Sequence, residues 1–259
     1  MKVTLLGCGG SQGVPNSAGE WGACDPADPR NRRLRPSVLI ETATMAHQAR
    51  TLLIDTAPDL REQLLRTGIN SIDAVLYTHA HADHVHGIDD LRAINKAMGR
   101  AIPIWAAPPV LALIKERFAY AIEVQTEGFY RPTLLPNSFD GPFDAAGIQI
   151  QPFAQDHGFT TTTGFRIGDF AYSTDVVQLD EAAFAVLDGV TTWIVDCCRL
   201  TPHPTHSHLE RTLDWIRRVG PKRAVLTHMD GSLDYASLAA LLPTGVEPGV
   251  DGLVLTVGT

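Results

Sequence analysis

The segment 78–84, with the sequence Thr-His-Ala-His-Ala-Asp-His, constrains the fold of this chain more than any other feature. It follows an apolar run, 74–77, that predicts a buried strand, and it precedes 87–94, which predicts the first turns of a helix. Open α/β folds place their ligands where a strand ends and a helix begins. A cluster of metal-ligand side chains at such a junction indicates an α/β protein with a metal site at a sheet edge.

The spacing within the segment suits two metal ions rather than one. Residues two apart in an extended chain point to the same side, so His79 and His81 can share a metal. After the chain turns, Asp83 and His84 can face a second metal beside the first. Imidazole suits zinc, iron and manganese, and an added carboxylate suits harder divalent ions. The alternative is a surface loop that is merely rich in histidine, but it explains neither the strand-end position nor the residue order.

Polar residues also follow several other predicted strands. His157, Asp175 and His228 each come directly after an apolar alternating run, as the later ligands of a metal site would. Taken singly, either histidine would more often be structural, and only the central segment makes a metal site the better interpretation. Asp55 ends a buried strand near that segment, where it can cap a helix or hydrogen-bond a ligand histidine.

The motif and the later strand-end residues resemble the metallo-β-lactamase superfamily, in particular its ribonuclease Z-like branch. The segments His206-Ser207-His208-Leu209 and Leu226-Thr227-His228, separated by a predicted helix, look most like PhnP-like phosphodiesterases. The resemblance implies a four-layer αβ/βα sandwich that forms a single domain over residues 1–259. Strand-rich blocks and helices alternate in two halves, roughly before and after residue 145, and 121–142 is predicted to be irregular.

The resemblance also implies the roles of the site residues. His79, His81 and His157 would hold one metal, Asp83, His84 and His228 the other, and Asp175 would bridge them. The metals would be two divalent ions, Mn²⁺ or Zn²⁺ and equally Fe, sharing a hydroxide that attacks the substrate, with Asp83 orienting it. His206 is the candidate general acid, and His208 is its partner or a helix N-cap. The alternative for this histidine-rich loop is a surface loop with capping histidines.

Two further segments are candidates for contact with the substrate. The glycine-rich loop 7–15, which contains Ser11, would border the metal cleft in this family, although it could equally be a tight loop without a ligand. Arginines at 30–35, with Arg33 and Arg35 as the chosen pair, could clamp a phosphate, because guanidinium geometry suits phosphate oxygens. The alternative is a solvated charged loop. PhnP-like proteins carry an extra zinc site built from several cysteines, but here that region has only Cys24, so no structural zinc is expected.

The net charge and the cysteine content bear on the cellular compartment and on the partners that the protein can bind. A net charge of -8 argues against broad attraction to nucleic acid or anionic membrane, and there is no long basic insertion to bind tRNA. No apolar stretch is long enough to cross a bilayer. The cysteines do not look like a disulfide framework, which fits the cytoplasm. We therefore expect no membrane association and no stable nucleic-acid partner, and the resemblance allows a homodimer.

These observations predict a metal-dependent phosphodiesterase acting on a small or cyclic phosphodiester or another nucleotide-like substrate. Within the same fold, the alternative activity is that of a thioesterase or lactonase. In a different class, the alternative is a metal-containing nucleotide-binding module without turnover. An intact set of ligand residues argues against that module.

Overall fold

Two mixed β-sheets of seven strands each form the centre of the molecule. The structure is a computed structural model that describes residues 1–123 and 133–258. The first six strands are β1 (Lys2–Gly7), β2 (Ser37–Ala43), β3 (Ala49–Ile54), β4 (Ala74–Leu76), β5 (Ile102–Ala106) and β6 (Leu134–Ser138). The next seven are β7 (Phe143–Ala145), β8 (Ile148–Asp156), β9 (Thr161–Ile167), β10 (Phe170–Ser173), β11 (Thr192–Asp196), β12 (Arg223–Thr227) and β13 (Val246–Pro248), and the last is β14 (Leu253–Thr256).

The two sheets have the same arrangement of strands. The first has the order β14-β1-β2-β3-β4-β5-β6 and the second β13-β12-β11-β10-β9-β8-β7. In the first sheet, β14, β1, β2 and β3 are antiparallel to their neighbours, and β3 to β6 run parallel. In the second, β7 to β10 are antiparallel and β10 to β13 run parallel. Parallel strands end at a common edge, and each sheet therefore presents several strand ends on one side of the molecule.

Helices cover the outer faces of the sheets. They are α1 (Leu60–Thr67), α2 (Ala82–Val85), α3 (Leu91–Met98), α4 (Pro108–Arg117), α5 (Ala119–Ile122), α6 (Glu181–Leu187), α7 (Leu209–Val219) and α8 (Tyr235–Ala239). Short 3₁₀ helices lie at Pro29–Asn31 and Ile88–Asp90. Strand β2 shows how the layers form: Val38 and Ile40 belong to the core between the sheets, and Leu39 packs in the cluster with α1, α3 and α4. The predicted four-layer αβ/βα sandwich is confirmed.

Two sequence predictions about the fold were wrong. The segment 121–142 was expected to be irregular, but its described part contains strand β6, which pairs with β5 alone at the sheet edge. An edge position tolerates Pro136, which made this strand hard to recognise. The division into halves at residue 145 also fails at the end of the chain, because β14 returns to the first sheet and pairs with β1. Within the described ranges, no helix has the length and apolar content needed to span a bilayer.

Candidate metal centre and its cleft

The predicted ligands meet at the edge where the parallel strands end. His79 lies just beyond β4, His157 follows β8, Asp175 follows β10 and His228 follows β12. Strands β8, β10 and β12 run in the same direction in the second sheet, so their ends lie side by side. The core shared by the two sheets holds β4 of the first sheet opposite them. The fold thus brings residues far apart in sequence into one cluster.

Seven side chains form two overlapping groups that could each hold a metal ion. In each group, the ligand atoms lie within 4.8 Å of one another. The first group is His79, His81, His157 and Asp175, and the second group is Asp83, His84, Asp175 and His228. The two groups contain the same residues as the two ligand sets that the family resemblance implies, and Asp175 is common to both. The ligand roles themselves remain a proposal, which is taken up below.

Asp175 lies between the two groups, and its carboxylate faces histidines of both. Its Oδ1 is 3.8 Å from Nε2 of both His79 and His157, and 3.3 Å from Nε2 of His228. Its Oδ2 is 3.0 Å from Nε2 of His84. Asp83 Oδ2 completes the second group at 3.4 Å from His84 Nε2 and 3.5 Å from His228 Nε2. This geometry suits a carboxylate that bridges two cations.

Three site residues have a left-handed backbone conformation. The φ angles are 61° at Asp55, 55° at Asp175 and 58° at His228. For residues other than glycine this conformation costs free energy, and it persists where the surrounding structure holds it in place. Each of the three follows the end of a strand, and the turn there directs the side chain across the sheet edge. Backbone strain is therefore concentrated at this site.

Hydrogen bonds outside the cluster orient three of its imidazole rings. His84 Nδ1 donates to Asp55 Oδ2 at 2.7 Å, and His157 Nδ1 donates to the Thr205 carbonyl at 2.7 Å. Thr78 Oγ lies 3.0 Å from His79 Nδ1 and donates to Asp55 Oδ2. Because Nδ1 is engaged outward in each ring, Nε2 is directed into the cluster. The sequence had left Asp55 as a cap or a hydrogen-bond partner of a ligand, and it is a hydrogen-bond partner of His84.

The histidines of the first group are shifted toward the neutral form. Burial lowers the pKa of His79, His81 and His157, and the imidazole of His84 lowers the pKa of His79 further. The Asp175 carboxylate opposes these shifts without reversing them. At neutral pH these rings therefore have a free nitrogen lone pair, which is the form that binds a metal.

The histidines of the second group are shifted in the opposite direction. Burial lowers the pKa of His84 and His228, but the Asp175 and Asp83 carboxylates outweigh burial, and both pKa values lie well above the usual range. Burial raises the pKa of Asp175, but the surrounding histidines outweigh it and hold that pKa well below the usual range. Without a cation the second group is thus a buried cluster of imidazolium and carboxylate charges.

The donor set fits divalent metal ions. Nε2 atoms of His79, His84 and His228 are buried, and in the part of the chain that the structure describes none makes a hydrogen bond of normal geometry, although His84 Nε2 lies 3.0 Å from Asp175 Oδ2. An unpaired buried nitrogen costs free energy unless something else binds it. Imidazole nitrogens combined with carboxylate oxygens are ligands of zinc, manganese and iron alike. These unpaired atoms converge on the cluster, and a bound cation would satisfy them.

His206 adjoins both groups through its ring. The centroid of this ring is 4.8 Å from that of His157 and 4.6 Å from that of His228. Its Nδ1 donates to Asp196 Oδ2 at 3.2 Å, and the same oxygen accepts from the Val176 backbone N–H at 2.9 Å. Asp196 is buried at the end of β11. The carboxylate therefore fixes the tautomer and orientation of His206 and leaves Nε2 available.

The cleft at the cluster consists of two adjoining cavities that share Ser11, His206 and His228. A cavity of about 430 Å³ opens over the ligand groups and also contacts Phe159 and Thr205. A larger cavity of about 690 Å³ extends from His206 along the glycine-rich loop. We call them the ring cavity and the polar cavity. Ser11 is exposed in both, so the glycine-rich loop borders the cleft.

Three predicted substrate residues lie elsewhere or are already paired. The Arg33 guanidinium is buried and donates to the carbonyls of Asp230, at 3.0 Å, and Leu233. The Arg35 guanidinium is paired with Asp59. His208 is buried at the N-terminal end of α7, makes no capping hydrogen bond and lines neither cavity. The prediction for Arg33 is therefore wrong, because its guanidinium is buried against backbone carbonyls, and burial likewise keeps His208 out of both cavities. Arg35 is half-buried and ion-paired, and it lines a separate cavity that also contains Ser11, so its contact with substrate stays a prediction.

Two residues that sequence reasoning missed lie at the cleft. Asp196 directly ends a buried strand, the same feature that pointed to Asp55 and Asp175, and it could have been found that way. Arg199 lines the polar cavity and is the guanidinium that borders the cleft. Its Nη2 lies 3.1 Å from Asp230 Oδ2, and its Nε has no hydrogen-bond partner among the residues described. Nothing in the local sequence distinguishes it from the other arginines.

Comparisons of sequence agree with this geometry. Residues 50–229 match the family described as the beta-lactamase superfamily domain. An octanoyltransferase of Porphyromonas gingivalis is 33% identical over 256 residues, which cover 98% of this chain and 51% of that protein. The chain spans about half the length of the curated relatives that it matches first. The name of such a relative therefore describes a protein about twice as long.

Comparisons of structure point to the same family. The crystal structure of a diphosphatase from the PhnP family is 34% identical, with a TM-score of 0.90, and the match covers 99% of this chain and 98% of that one. Zn²⁺-bound PqqB from Methylobacterium extorquens shares the fold, with a TM-score of 0.77 at 19% identity, over 99% and 100% of the two chains. The family match, the PhnP-family relative and the ligand cluster agree: this chain belongs to the β-lactamase superfamily and has the metallo-β-lactamase fold.

Proposed function

We propose that this protein is a hydrolase dependent on two metal ions that cleaves a P–O bond of a small or cyclic phosphodiester. The observation that carries the proposal is the pair of ligand groups sharing Asp175, with the His206 ring against both. When bound, two divalent ions activate water at neutral pH and neutralise charge on phosphate oxygens. Zinc in the PqqB relative supports zinc as one of the candidate ions, beside manganese and iron.

The protein residues supply orientation and proton transfer. Asp83 is 8% exposed and lines the ring cavity. Its carboxylate can therefore orient the attacking water. His206 donates from Nδ1 to Asp196, so its Nε2 is the atom that can give a proton to the leaving oxygen. A carboxylate behind the ring stabilises the imidazolium before transfer and the correct tautomer after it.

The Arg199 guanidinium supports a substrate with anionic oxygen, although the carboxylates of Glu20 and Asp230 line the same polar cavity. Arg199 and His203 both line this cavity beside His206. Nε of Arg199 has no hydrogen-bond partner among the residues described, whereas Nη2 is ion-paired with Asp230. Arg199 is thus the cation proposed to bind phosphate oxygen, whereas burial lowers the pKa of His203 and leaves it a neutral hydrogen-bonding ring. Ser11, on the glycine-rich loop, adds a hydroxyl donor in both cavities.

Two other substrate classes have a specific observation behind them. The PhnP-family relative is a diphosphatase, which favours cleavage of a phosphoric anhydride by the same residues. The octanoyltransferase relative favours an acyl substrate, which is the thioesterase or lactonase alternative. The polar cavity argues against an octanoyl chain, because glycines, polar side chains and Cys198 line it and no Val, Leu, Ile or Met is present among them to pack against eight carbons.

A substrate panel with metal-loaded protein tests the proposal. We expect hydrolysis of a cyclic phosphodiester and of an aryl phosphodiester, and loss of both activities on chelation. His206→Ala should keep its metal content and lose about 10²- to 10⁴-fold in kcat, because it removes the proton donor. His47→Ala, an exposed histidine on the β2–β3 turn, is the matched control and should keep the full rate.

Other results would redirect the assignment. Activity confined to an octanoyl thioester or a lactone would overturn the phosphodiesterase proposal, and activity confined to a diphosphate would move it to the anhydride. A protein that binds nucleotides equally well with and without metal, and hydrolyses none of these substrates, would be the binding module. A full rate in His206→Ala would remove His206 from the reaction.

A further inference from the structure

Phe159 is an exposed aromatic side chain at the rim of the candidate metal centre. Its side chain is 92% exposed, and it lines the ring cavity together with His81, Asp83 and His157. Within the described part of the chain, its ring makes no aromatic contact. A large apolar side chain exposed to this extent gains free energy when a ligand covers it.

The turn that carries Phe159 is held firmly in place. It joins β8 to β9, and His157 N–H donates to the Thr160 carbonyl at 2.9 Å while Phe159 N–H donates to the His157 carbonyl at 3.0 Å. Gly158 has a φ of 79°, and a Cβ there would lie 2.8 Å from the Pro204 carbonyl oxygen. Only glycine therefore allows this turn to pack against the loop that leads to His206. The backbone of Phe159 is thus held two residues from a predicted metal ligand.

The two cavities of the cleft differ in what they can bind. The polar cavity is lined by glycines and by polar side chains such as Gln12, Asn16 and Glu20, with no aromatic ring apart from imidazoles. The ring cavity contains the exposed phenyl face of Phe159. A planar ring binds by stacking on an aromatic side chain, whatever its pattern of hydrogen-bonding groups. The ring cavity therefore suits a planar substituent and the polar cavity a small, hydrogen-bonding one.

We propose that Phe159 is a specificity-determining residue that stacks on the base of a nucleotide-type phosphodiester while the phosphate lies at the ligand groups. This inference rests on the proposed function and adds the class of substrate to it. The base occupies the ring cavity, and in an open-chain phosphodiester the second ester substituent occupies the polar cavity beside Arg199. Because Phe159 contacts the base and not the reacting atoms, it acts on the preference among substrates.

Two substrates that differ only in the base test the proposal. They are adenosine 2′,3′-cyclic phosphate and methyl riboside 2′,3′-cyclic phosphate, assayed on the metal-loaded protein. In the wild type, kcat/KM should favour the adenosine substrate. Phe159→Ala should lower this preference by about 5- to 100-fold, mainly through KM, because it removes one stacking partner. Phe159→Trp should restore the preference to within about threefold of the wild type, since it restores an aromatic face.

A matched control separates stacking from general loss of apolar surface. Leu65, on α1, is 64% exposed and lies outside the lining of both cavities, so Leu65→Ala should leave the preference unchanged. Phe159→Leu keeps apolar area but lacks an aromatic face, and it should resemble Phe159→Ala more than the wild type. Light scattering should give the same molar mass for the wild type and Phe159→Ala.

The failures of the two proposals can be told apart. If both cyclic phosphates are hydrolysed and Phe159→Ala slows them equally, the stacking proposal is overturned and the phosphodiesterase proposal stands. If neither is hydrolysed, the proposed function fails, and calorimetric binding of adenosine 3′-phosphate and ribose 3-phosphate still tests stacking: equal affinities overturn it. A smaller molar mass for Phe159→Ala would mean that the ring is covered by a second copy of the chain, which would also overturn it.

Discussion

The two groups of predicted metal ligands share Asp175 but differ in burial and in charge. The second group is wholly buried, and the first includes His81, which is exposed to the cleft. The pKa values of the first group's histidines are lowered, whereas those of His84 and His228 are raised. The difference arises because two further carboxylates, Asp83 and Asp55, lie beside His84. Two sites with nearly the same residue types are therefore electrostatically unlike.

The difference in burial and charge predicts how tightly each group would bind its metal ion. The first group offers neutral imidazoles and one shared carboxylate in contact with solvent, an arrangement from which a metal can exchange through the cleft. The second group offers two carboxylates directly and a third through His84, and its four side chains are all buried. Its metal would replace protons and would be held by more negative charge. We expect the two ions to differ in affinity, in exchange rate and in dependence on pH.

The largest effect should come from the residue common to both groups. Asp175→Asn keeps a side chain that tolerates the φ of 55° but removes the charge between the two sites. We expect loss of metal from both groups, with a fall in activity of about 10⁴-fold or more, because the reaction depends on metal-activated water. Elemental analysis after desalting measures the metal. Asp169→Ala, on the β9–β10 turn, is the control, and two retained metal equivalents in Asp175→Asn would contradict the bridging role.

A smaller and one-sided effect is expected from the exposed ligand. His81→Ala should lose the metal of the first group and retain about one equivalent in the second, because His81 belongs to the first group alone. Activity should fall by about 10²- to 10³-fold, since water activation would depend on the remaining ion. His228→Ala provides the opposite case, with the metal retained in the first group. If either variant lost both metals, the two groups would be one cooperative site.

Much of this cluster could be predicted from the sequence, because the central motif and the family resemblance both direct attention to residues at strand ends. Strands that run in the same direction bring their last residues to one edge, which is why His157, Asp175 and His228, implied by the resemblance, lie beside the central segment. The same rule fails for Arg33. Whether its guanidinium faces solvent or the interior depends on carbonyls of Asp230 and Leu233, about 200 residues further along the chain.

The sheet assignment of β14 failed for a related reason. The alternation of 253–257 predicts a strand but does not say which partner it takes, and pairing with β1 is a contact across nearly the whole chain. His206 and His208 illustrate the same limit within three residues. Their types are identical, yet one is directed into the cleft and the other is buried, because Ser207 between them donates to the Asp196 carbonyl and anchors the loop.

A further variant tests the comparison by changing Asp55, which contacts the second group without belonging to it. In Asp55→Asn, the amide would no longer stabilise the charge and tautomer of His84, while the φ of 61° remains accessible to asparagine. Metal affinity should fall by about 10- to 100-fold in the second group and remain unchanged in the first. Titration with Zn²⁺ of this variant in the His228→Ala and His81→Ala backgrounds measures each group separately. An equal loss in both would show that Asp55 supports the whole edge instead of one site.

The smallest expected effect is a difference in pH dependence between the groups. His84 and His228 have raised pKa values, so at neutral pH they carry protons that a metal must displace, and the second group should release about two protons on binding. The first group, with lowered pKa values, should release about none. As pH falls from 7.5 to 6.5, affinity in the second group should drop by about 10- to 100-fold, because each displaced proton contributes up to tenfold per pH unit.

Calorimetry of Zn²⁺ binding in two buffers of different ionisation enthalpy, using His81→Ala for the second group and His228→Ala for the first, counts the protons. Equal proton release from both variants would mean that the carboxylates around His84 do not distinguish the two sites.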